Sequence, residues 1–466
     1  MSSGTGTAGS GTLAPFFLLV GAGGLAIGFW LGLTAGGEVT LRAPGRAPRP
    51  APPPAAANPN PGTLVPGEGV PGERPGAWPQ FRGTDRMNRA PAINLERLGR
   101  PGGLEPLWRV RVCEGYAGPV VAAGRVFLHD HDREKSEDQV RCLSLADGRE
   151  IWRYTYHVKI KMNHGITRTT PAVRGDRLVT LGPKCHLLCL RADTGEPVWR
   201  RDLVREHETR VPPWYAGQCP LIDGEVAVIA PGGKPAFMGV ELATGRTRWE
   251  TPNPGGWGMT HSSVVKVEMA GEAQYVYCHT KGVAGVSAKD GRVLWNHPGW
   301  KINIANVPTP LPIPGDRIFL CGGYNAGACM LHLLRRGEKI EVEEIFRVGP
   351  KVFGSDQQTP VLYGDHIYGV IPGGRMACLD LAGKQRWVRE PVPDFGLGFY
   401  MLAGGILLAA EGKTGLLRLI EPSPRGYRER AALQAVEGHE IWAPFAVAGG
   451  RFLLRNMTEL LCLEAD

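Results

Sequence analysis

A short phrase recurs five times between residues 146 and 387 and limits the chain to few architectures. A hydrophobic run ends in a turn glycine, and a tryptophan follows four residues after that glycine. The instances are Ala146-Asp-Gly-Arg-Glu-Ile-Trp152, Ala192-Asp-Thr-Gly-Glu-Pro-Val-Trp199, Ala243-Thr-Gly-Arg-Thr-Arg-Trp249, Ala288-Lys-Asp-Gly-Arg-Val-Leu-Trp295 and Leu381-Ala-Gly-Lys-Gln-Arg-Trp387. Asp-Gly or Thr-Gly at such a point makes a tight hairpin that needs positive φ. The tryptophan then falls on the outgoing strand, where a large ring can wedge between neighbouring sheets. Successive tryptophans lie 47, 50 and 46 residues apart, and Phe346 fills the slot between Trp295 and Trp387. A period in the forties with several short strands per unit is the signature of a β-propeller.

Each unit also opens alike, with small or polar residues, then usually a proline and a hydrophobic pair. Gly115-Tyr-Ala-Gly-Pro-Val-Val, Thr167-Arg-Thr-Thr-Pro-Ala-Val and Ser355-Asp-Gln-Gln-Thr-Pro-Val-Leu are examples, and eight such openings lie between residues 115 and 445. The last unit has only three strand-like runs within 441–465. The missing strand is available at Pro106-Leu-Trp-Arg-Val-Arg-Val112, with Trp108 in the expected slot. A ring closed in this way leaves no free sheet edge at the seam. The expected fold class is therefore all-β, an eight-bladed propeller over 77–466.

Ahead of it the chain divides into a polar stretch (1–12), an apolar run (13–34) and a Pro/Ala/Gly-rich segment (35–76). No charged side chain occurs in residues 1–37, and Leu13–Thr34 is 22 residues long, enough for a helix to cross a bilayer. The run lacks the basic start and small-residue cleavage site of a signal peptide, so an uncleaved transmembrane anchor is expected. The proline-rich segment cannot bury a core and is expected to act as a semi-extended tether. Arg42, Arg46 and Arg49 follow the apolar run, which by the positive-inside rule would leave the propeller in the cytoplasm.

The formal charge of +8 is spread thinly, with no dense basic stripe interleaved with aromatics, so nucleic acid is not an expected partner. None of the ten cysteines forms a CxxC, and most read as small buried hydrophobes. Cys321 and Cys329 flank a glycine-rich turn and could face each other across a hairpin. His129-Asp-His-Asp132 has the residue types of a metal site but runs into a charged hairpin loop, so no metal site is expected. Ser262 and Ser263 beside His261 lack the glycine pattern of a nucleophile elbow, and no catalytic residues are expected.

The Gly-x-x-x-Trp phrases resemble the tryptophan-docking repeats of the pyrroloquinoline-quinone-repeat propellers. That superfamily includes quinoprotein alcohol dehydrogenases and the outer-membrane assembly lipoprotein BamB. Trp78-Pro-Gln-Phe-Arg-Gly83 and the C-terminal Asn456-Met-Thr-Glu-Leu-Leu-Cys-Leu463 look like the quinone-repeat proteins abundant in planctomycetes. For an enzyme the resemblance implies a quinone held between a tryptophan floor and a disulfide of adjacent cysteines. It also implies a Ca²⁺ held by Glu, Asn and Asp oxygens, and a further Asp as base. This sequence has no Cys-Cys pair and few carboxylates in its openings, Asp356 being the clearest. No cofactor is therefore expected, and pyrroloquinoline quinone with Ca²⁺ is the alternative. Any ligand would meet the polar residues of the openings, which are His164, Arg168, Gln218, His261, Asn306, Asp356, Gln357 and Trp442. The resemblance to BamB implies a monomeric, non-catalytic, membrane-tethered platform on the extracytoplasmic side, with envelope proteins or a small envelope ligand as partners. The runner-up is a quinone-dependent dehydrogenase. Trp78 and Phe81 are expected to clamp the incoming chain to the propeller.

Overall fold

In the computed structural model the described residues are 61–94, 105–161, 164–389 and 394–465. They fold as eight antiparallel sheets in chain order, each with a core of four strands. Blade 1 runs from an inner strand Val120–Ala122 to an outer strand Glu150–His157, and blade 2 from Ala172–Arg174 to Pro197–Asp202. Blades 3, 4 and 5 start at Leu221–Asp223, Val265–Met269 and Leu311–Ile313, and blades 6 and 7 at Val361–Tyr363 and Tyr400–Ala403. Blade 8 joins Ala446–Ala448, Arg451–Arg455 and Glu459–Glu464 to Trp108–Arg111, with Trp108 opposite Cys462. The ring is thus closed by the segment the sequence offered for it.

The repeated phrase does its work between blades. The glycine of each turn takes positive φ, as at Gly195 (φ 79°), and the tryptophan of the preceding blade lies flat against it. Trp108 covers Gly148, Trp152 covers Gly195, Trp199 covers Gly245 and Trp249 covers Gly291. Phe346 covers Gly383, so it fills its slot as expected. A side chain at Gly195 would place Cβ 2.6 Å from the Trp152 ring, so glycine is required for two reasons at once. Indole N–H groups complete the dock: Trp108 donates to Leu145 O at 3.1 Å and Trp199 to Leu242 O at 2.8 Å. Each of these contacts hides a large ring, and at Trp108, Trp152 and Trp199 it also pairs the ring's only polar atom.

The openings differ from expectation in one respect. The polar residues are not on the innermost strands but just before them, in irregular backbone. Pro119, Pro171, Pro220, Pro310 and Pro360 each stand immediately before an inner strand, where the missing N–H costs no ladder bond. The residue before each proline has a second task. Gly118 N donates to Thr170 Oγ1 (3.2 Å), Thr170 N to Cys219 Sγ (3.2 Å) and Cys219 N to Ser263 Oγ (2.9 Å). Thr309 N donates to Thr359 Oγ1 at 2.8 Å. Equivalent positions of successive blades thus satisfy one another's backbone around the channel, which is why they are small and polar.

Two further corrections concern the cysteines and the incoming chain. Cys321 is cross-strand partner to Ala328, and Leu320 to Cys329, so the two thiols point to opposite faces of one hairpin and cannot bridge; all ten cysteines are free. Residues 61–76, read from sequence as the end of a tether, are bound chain. Thr63–Pro66 adds a fifth strand to the outer edge of blade 1, and Gly72 N donates to Gly124 O. The apolar run 13–34 lies outside the described residues; among the described residues no helix is long and apolar enough to cross a membrane.

Candidate functional site

The eight openings converge on a funnel of about 520 Å³ around the ring axis, to which every blade contributes lining residues. Its floor is Phe81, carried by the segment 77–90 that crosses the channel. That segment is tied to the ring on several sides. Trp78 is buried and pairs with Val121 of blade 1, and Val173 N of blade 2 donates to Pro79 O. Arg86 donates to Cys219 O (3.2 Å) and Pro220 O (3.0 Å) on blade 3, and Arg82 to Pro360 O (3.2 Å) on blade 6. Arg89–Ala90 runs parallel to the inner strand of blade 7. Burial lowers both Arg82 and Arg86 to about 10, so both remain cations at neutral pH. Trp78 packs on Gly83 within its own turn. The clamp expected of Trp78 is present, while Phe81 faces the funnel, and the two buried arginines add ties to the ring.

Of the eight expected residues, six line the funnel: His164, Arg168, His261, Asp356, Gln357 and Trp442. Gln218 does not. It is fully buried, and its amide forms a closed pair with the backbone of Ala230, accepting at 2.8 Å and donating at 3.1 Å. Asn306 does not either: its neighbours Ala305 and Val307 face the cavity while Asn306 is buried against Cys278. At these two openings alternate residues face inward, Gly217 and Cys219 on either side of Gln218 and Ala305 and Val307 on either side of Asn306, so both amides fall on the wrong side. Tyr116, Trp214 and Tyr324 on the wall were not among the expected residues, and Phe81, expected only as part of a clamp, forms the floor. The signal was an aromatic residue close to a small-residue opening, as in Gly115-Tyr-Ala-Gly and Trp214-Tyr-Ala-Gly.

On the blade 1–2 side Tyr116 and Trp442 stack with centroids 5.0 Å apart, and the Arg168 guanidinium lies 5.5 Å over the other partner, Tyr116. Tyr116 Oη donates to Glu440 at 2.7 Å, and Arg168 donates to Ile166 O at 2.9 Å. Burial lowers Arg168 to about 10, still charged at neutral pH. His261 Nε2 donates to Pro213 O at 2.7 Å, and burial brings its pKa down to about 4, so it is neutral. Ser262 donates to Pro308 O and Ser263 accepts from Cys219 N, so neither hydroxyl is poised against a base. Asp356 is the isolated carboxylate of the wall. Desolvation alone raises its pKa, with no cation or donor to offset it. Six non-glycine residues around the funnel hold positive φ: His164, Trp214, Tyr215, Tyr324, Asn325 and Glu440.

His129-Asp-His-Asp132 dissolves into separate structural contacts. His129 meets Thr169 Oγ1, Asp130 accepts from Cys113 N, His131 meets Asp138 at 2.6 Å and Asp132 accepts from the turn at Glu134 N. Among the described residues no group of three His, Cys, Asp or Glu converges as metal ligands. The Ca²⁺–quinone set implied by the fold does not fit the funnel. It needs several oxygen donors, and the wall supplies Asp356 with neutral amides while Asn306 is turned away.

The sequence model of the family described as "Outer membrane protein assembly factor BamB" matches residues 136–389. Among solved structures, BamB from Moraxella catarrhalis is similar with TM-score 0.53 at 11% identity, covering 78% of this chain and 97% of that one. Quinohemoprotein alcohol dehydrogenase from Comamonas testosteroni is similar with TM-score 0.57 at 12% identity, covering 83% of this chain and 80% of that one. No curated protein sequence matches. At such identities the structures share the fold, and the family rests on the sequence match and the docked repeats. The chain belongs to the BamB-type family of pyrroloquinoline-quinone-repeat propellers.

Proposed function

We propose that this protein is a non-catalytic binding platform of the cell envelope, tethered through its N-terminal apolar run with the propeller on the extracytoplasmic side. The observation that carries the reading is the funnel itself. It is open, aromatic and polar and closed beneath by a bound segment, and among the described residues neither His261 nor Ser262 nor Ser263 is paired with a base or nucleophile. His261 spends its Nε2 proton on a backbone carbonyl, and the nearby serines hold blade to blade. Among the described residues Asp356 is the one wall carboxylate in a position to act as a base, and it stands without the set of oxygen donors a Ca²⁺ ion requires. BamB-like capture of an envelope protein or a small envelope ligand is the activity that such a surface supports.

The test uses the full-length chain in detergent. It is titrated with pyrroloquinoline quinone and Ca²⁺ while cofactor absorbance and dye-linked alcohol oxidation are followed. The expected result is neither saturable binding nor turnover. Tight binding with turnover would overturn the reading and make Asp356 the first candidate base. Fractionation of cells expressing the chain tests the tether: recovery with membranes after a high-salt wash is expected, and release by salt would sink the anchor.

A further inference from the structure

We propose that the funnel is a receptor site for a small dipolar ligand, with a primary ammonium at one end and an acid group at the other, as in an unblocked short peptide. The inference rests on the reading of the chain as a binding platform and names what its funnel holds.

Two charged groups on the funnel wall, Arg168 and Asp356, make no ion pair among the described residues. Arg168 lies on the blade 2 wall. Its guanidinium makes one hydrogen bond, to Ile166 O, and covers Tyr116; Glu440, which accepts from Tyr116, supports its charge from beyond ion-pair distance. The other donors of its fork are left for a ligand. Asp356 lies on the blade 6 wall, half-buried, with neither a hydrogen bond nor an ion pair to its carboxylate among the described residues. In a ring of eight, blades 2 and 6 stand opposite each other across the axis. The funnel therefore has a cationic wall facing an anionic wall, with His164 beside the cation and Gln357 beside the anion. Unpaired charges that are partly removed from water are costly, and here they are too far apart to serve each other. A ligand with opposite charges at its two ends pairs both.

Contrast with the floor sharpens the point. Arg82 and Arg86 are buried deeper than Arg168, and their hydrogen bonds run to carbonyls of blades 6 and 3, so they tie the crossing segment to the ring. Among the described residues Asp356 makes no bond to another blade, and Arg168 bonds within blade 2 and meets blade 1 only through the face of Tyr116. Between the two charged walls lie the stacked Tyr116–Trp442 pair, Trp214 and Phe81, surfaces suited to an apolar or amide body. The volume of about 520 Å³ falls in the range of roughly 300–1,000 Å³ usual for small-ligand sites. Left-handed backbone at His164, Trp214, Tyr324 and Glu440 fixes these walls in a conformation that side chains rarely adopt, and such positions gather at binding sites.

The same ammonium-and-acid chemistry occurs in peptides and in phosphoethanolamine headgroups, so the experiment includes both. Full-length protein in detergent is titrated calorimetrically with trialanine, N-acetyl-trialanine, trialanine amide, phosphoethanolamine and chitotriose. Trialanine is expected to bind, and blocking either end to weaken binding about tenfold or more. Asp356→Asn should reproduce the loss caused by acetylation and add nothing to it. Arg168→Gln should stand in the same relation to amidation, with unchanged melting temperature in both variants. Phosphoethanolamine binding with the same response to the two variants supports the dipolar site and assigns it to the headgroup source. Equal binding of the blocked peptides, preference for uncharged chitotriose, or no binding by any of the five overturns the inference. Failure of the platform reading would be seen separately, as quinone-dependent turnover; no binding by any of the five and no turnover would sink this inference alone.

Discussion

The two ends of the channel use similar residues to opposite effect. At the floor, Trp78, Arg82 and Arg86 are almost wholly buried, and the two arginines donate to backbone carbonyls of blades 6 and 3 across the ring. At the rim, Trp442, Trp214 and Arg168 are half-buried, touch mainly one another's neighbours and keep polar atoms free for solvent. An arginine at the floor is a cross-brace, whereas an arginine at the rim is a surface group held ready. Residue type therefore says little about role in this protein, and the number of blades a side chain ties together says much more.

The comparison breaks most visibly at its tryptophans. Trp78→Ala removes a buried ring from a segment braced across the channel and should cost about 3–5 kcal/mol. Trp442→Ala removes a half-buried ring whose main partner is Tyr116, and should cost about 1 kcal/mol. Urea unfolding followed by circular dichroism checks both. Equal losses would mean that rim and floor are one mechanical unit.

Acid should act from the rim. His261 is buried, and its pKa is about 4 in the folded chain against 6.5 unfolded. Between those values the unfolded chain holds the extra proton, so stability is full above about pH 6.5 and falls as pH drops towards 4. The loss approaches about 3 kcal/mol at the acid end. His279, stacked on Trp257 and also lowered to about 4, adds a loss in the same window. Melting temperatures of the parent and of His261→Gln from pH 7 to 4 test this; a variant with an equally steep acid slope would remove His261 from the account.

The wall between rim and floor comes next in size. Ser263→Ala leaves Cys219 N–H buried without an acceptor and should cost about 1–3 kcal/mol. Thr359→Val does the same to Thr309 N–H, with little change in volume. A cost near zero in both would show that the belt of side-chain acceptors around the channel is ornamental.

How far sequence could see follows from the same division. The ring was legible because its spacing is covalent: glycine four residues before tryptophan places the ring of one blade on the turn of the next. Closure by Trp108–Arg111 was legible because the last unit lacked one strand. The funnel was legible only in part. Six of its polar residues could be named from the openings, but which of two adjacent residues faces inward depends on irregular backbone that no period governs. That is why Gln218 and Asn306 were misplaced while Asp356 was not. Arg82 and Arg86 were invisible for a different reason. Their partners, Pro360 and Cys219–Pro220, are more than a hundred residues away and are bare carbonyls, which carry no sequence signal.

The weakest effect concerns where the tether ends. Composition alone gave residues 61–76 to the spacer, yet Thr63–Pro66 pairs along blade 1, and Leu64 packs against Trp152 beside Gly195. Proline-rich chain can lie on a sheet edge because an edge strand needs only alternate N–H groups. If the strand is part of the propeller, Leu64→Ala should cost about 1 kcal/mol, a fraction of full leucine burial because the site is half-exposed. Val65, 40% exposed on the other face, should accept lysine within about 0.5 kcal/mol. Unfolding midpoints of the two variants decide the matter. A loss at Leu64 with none at Val65 marks a docked strand whose alternation the propeller reads. Two silent substitutions would return 61–66 to the tether and move the boundary of the floor assembly to Trp78.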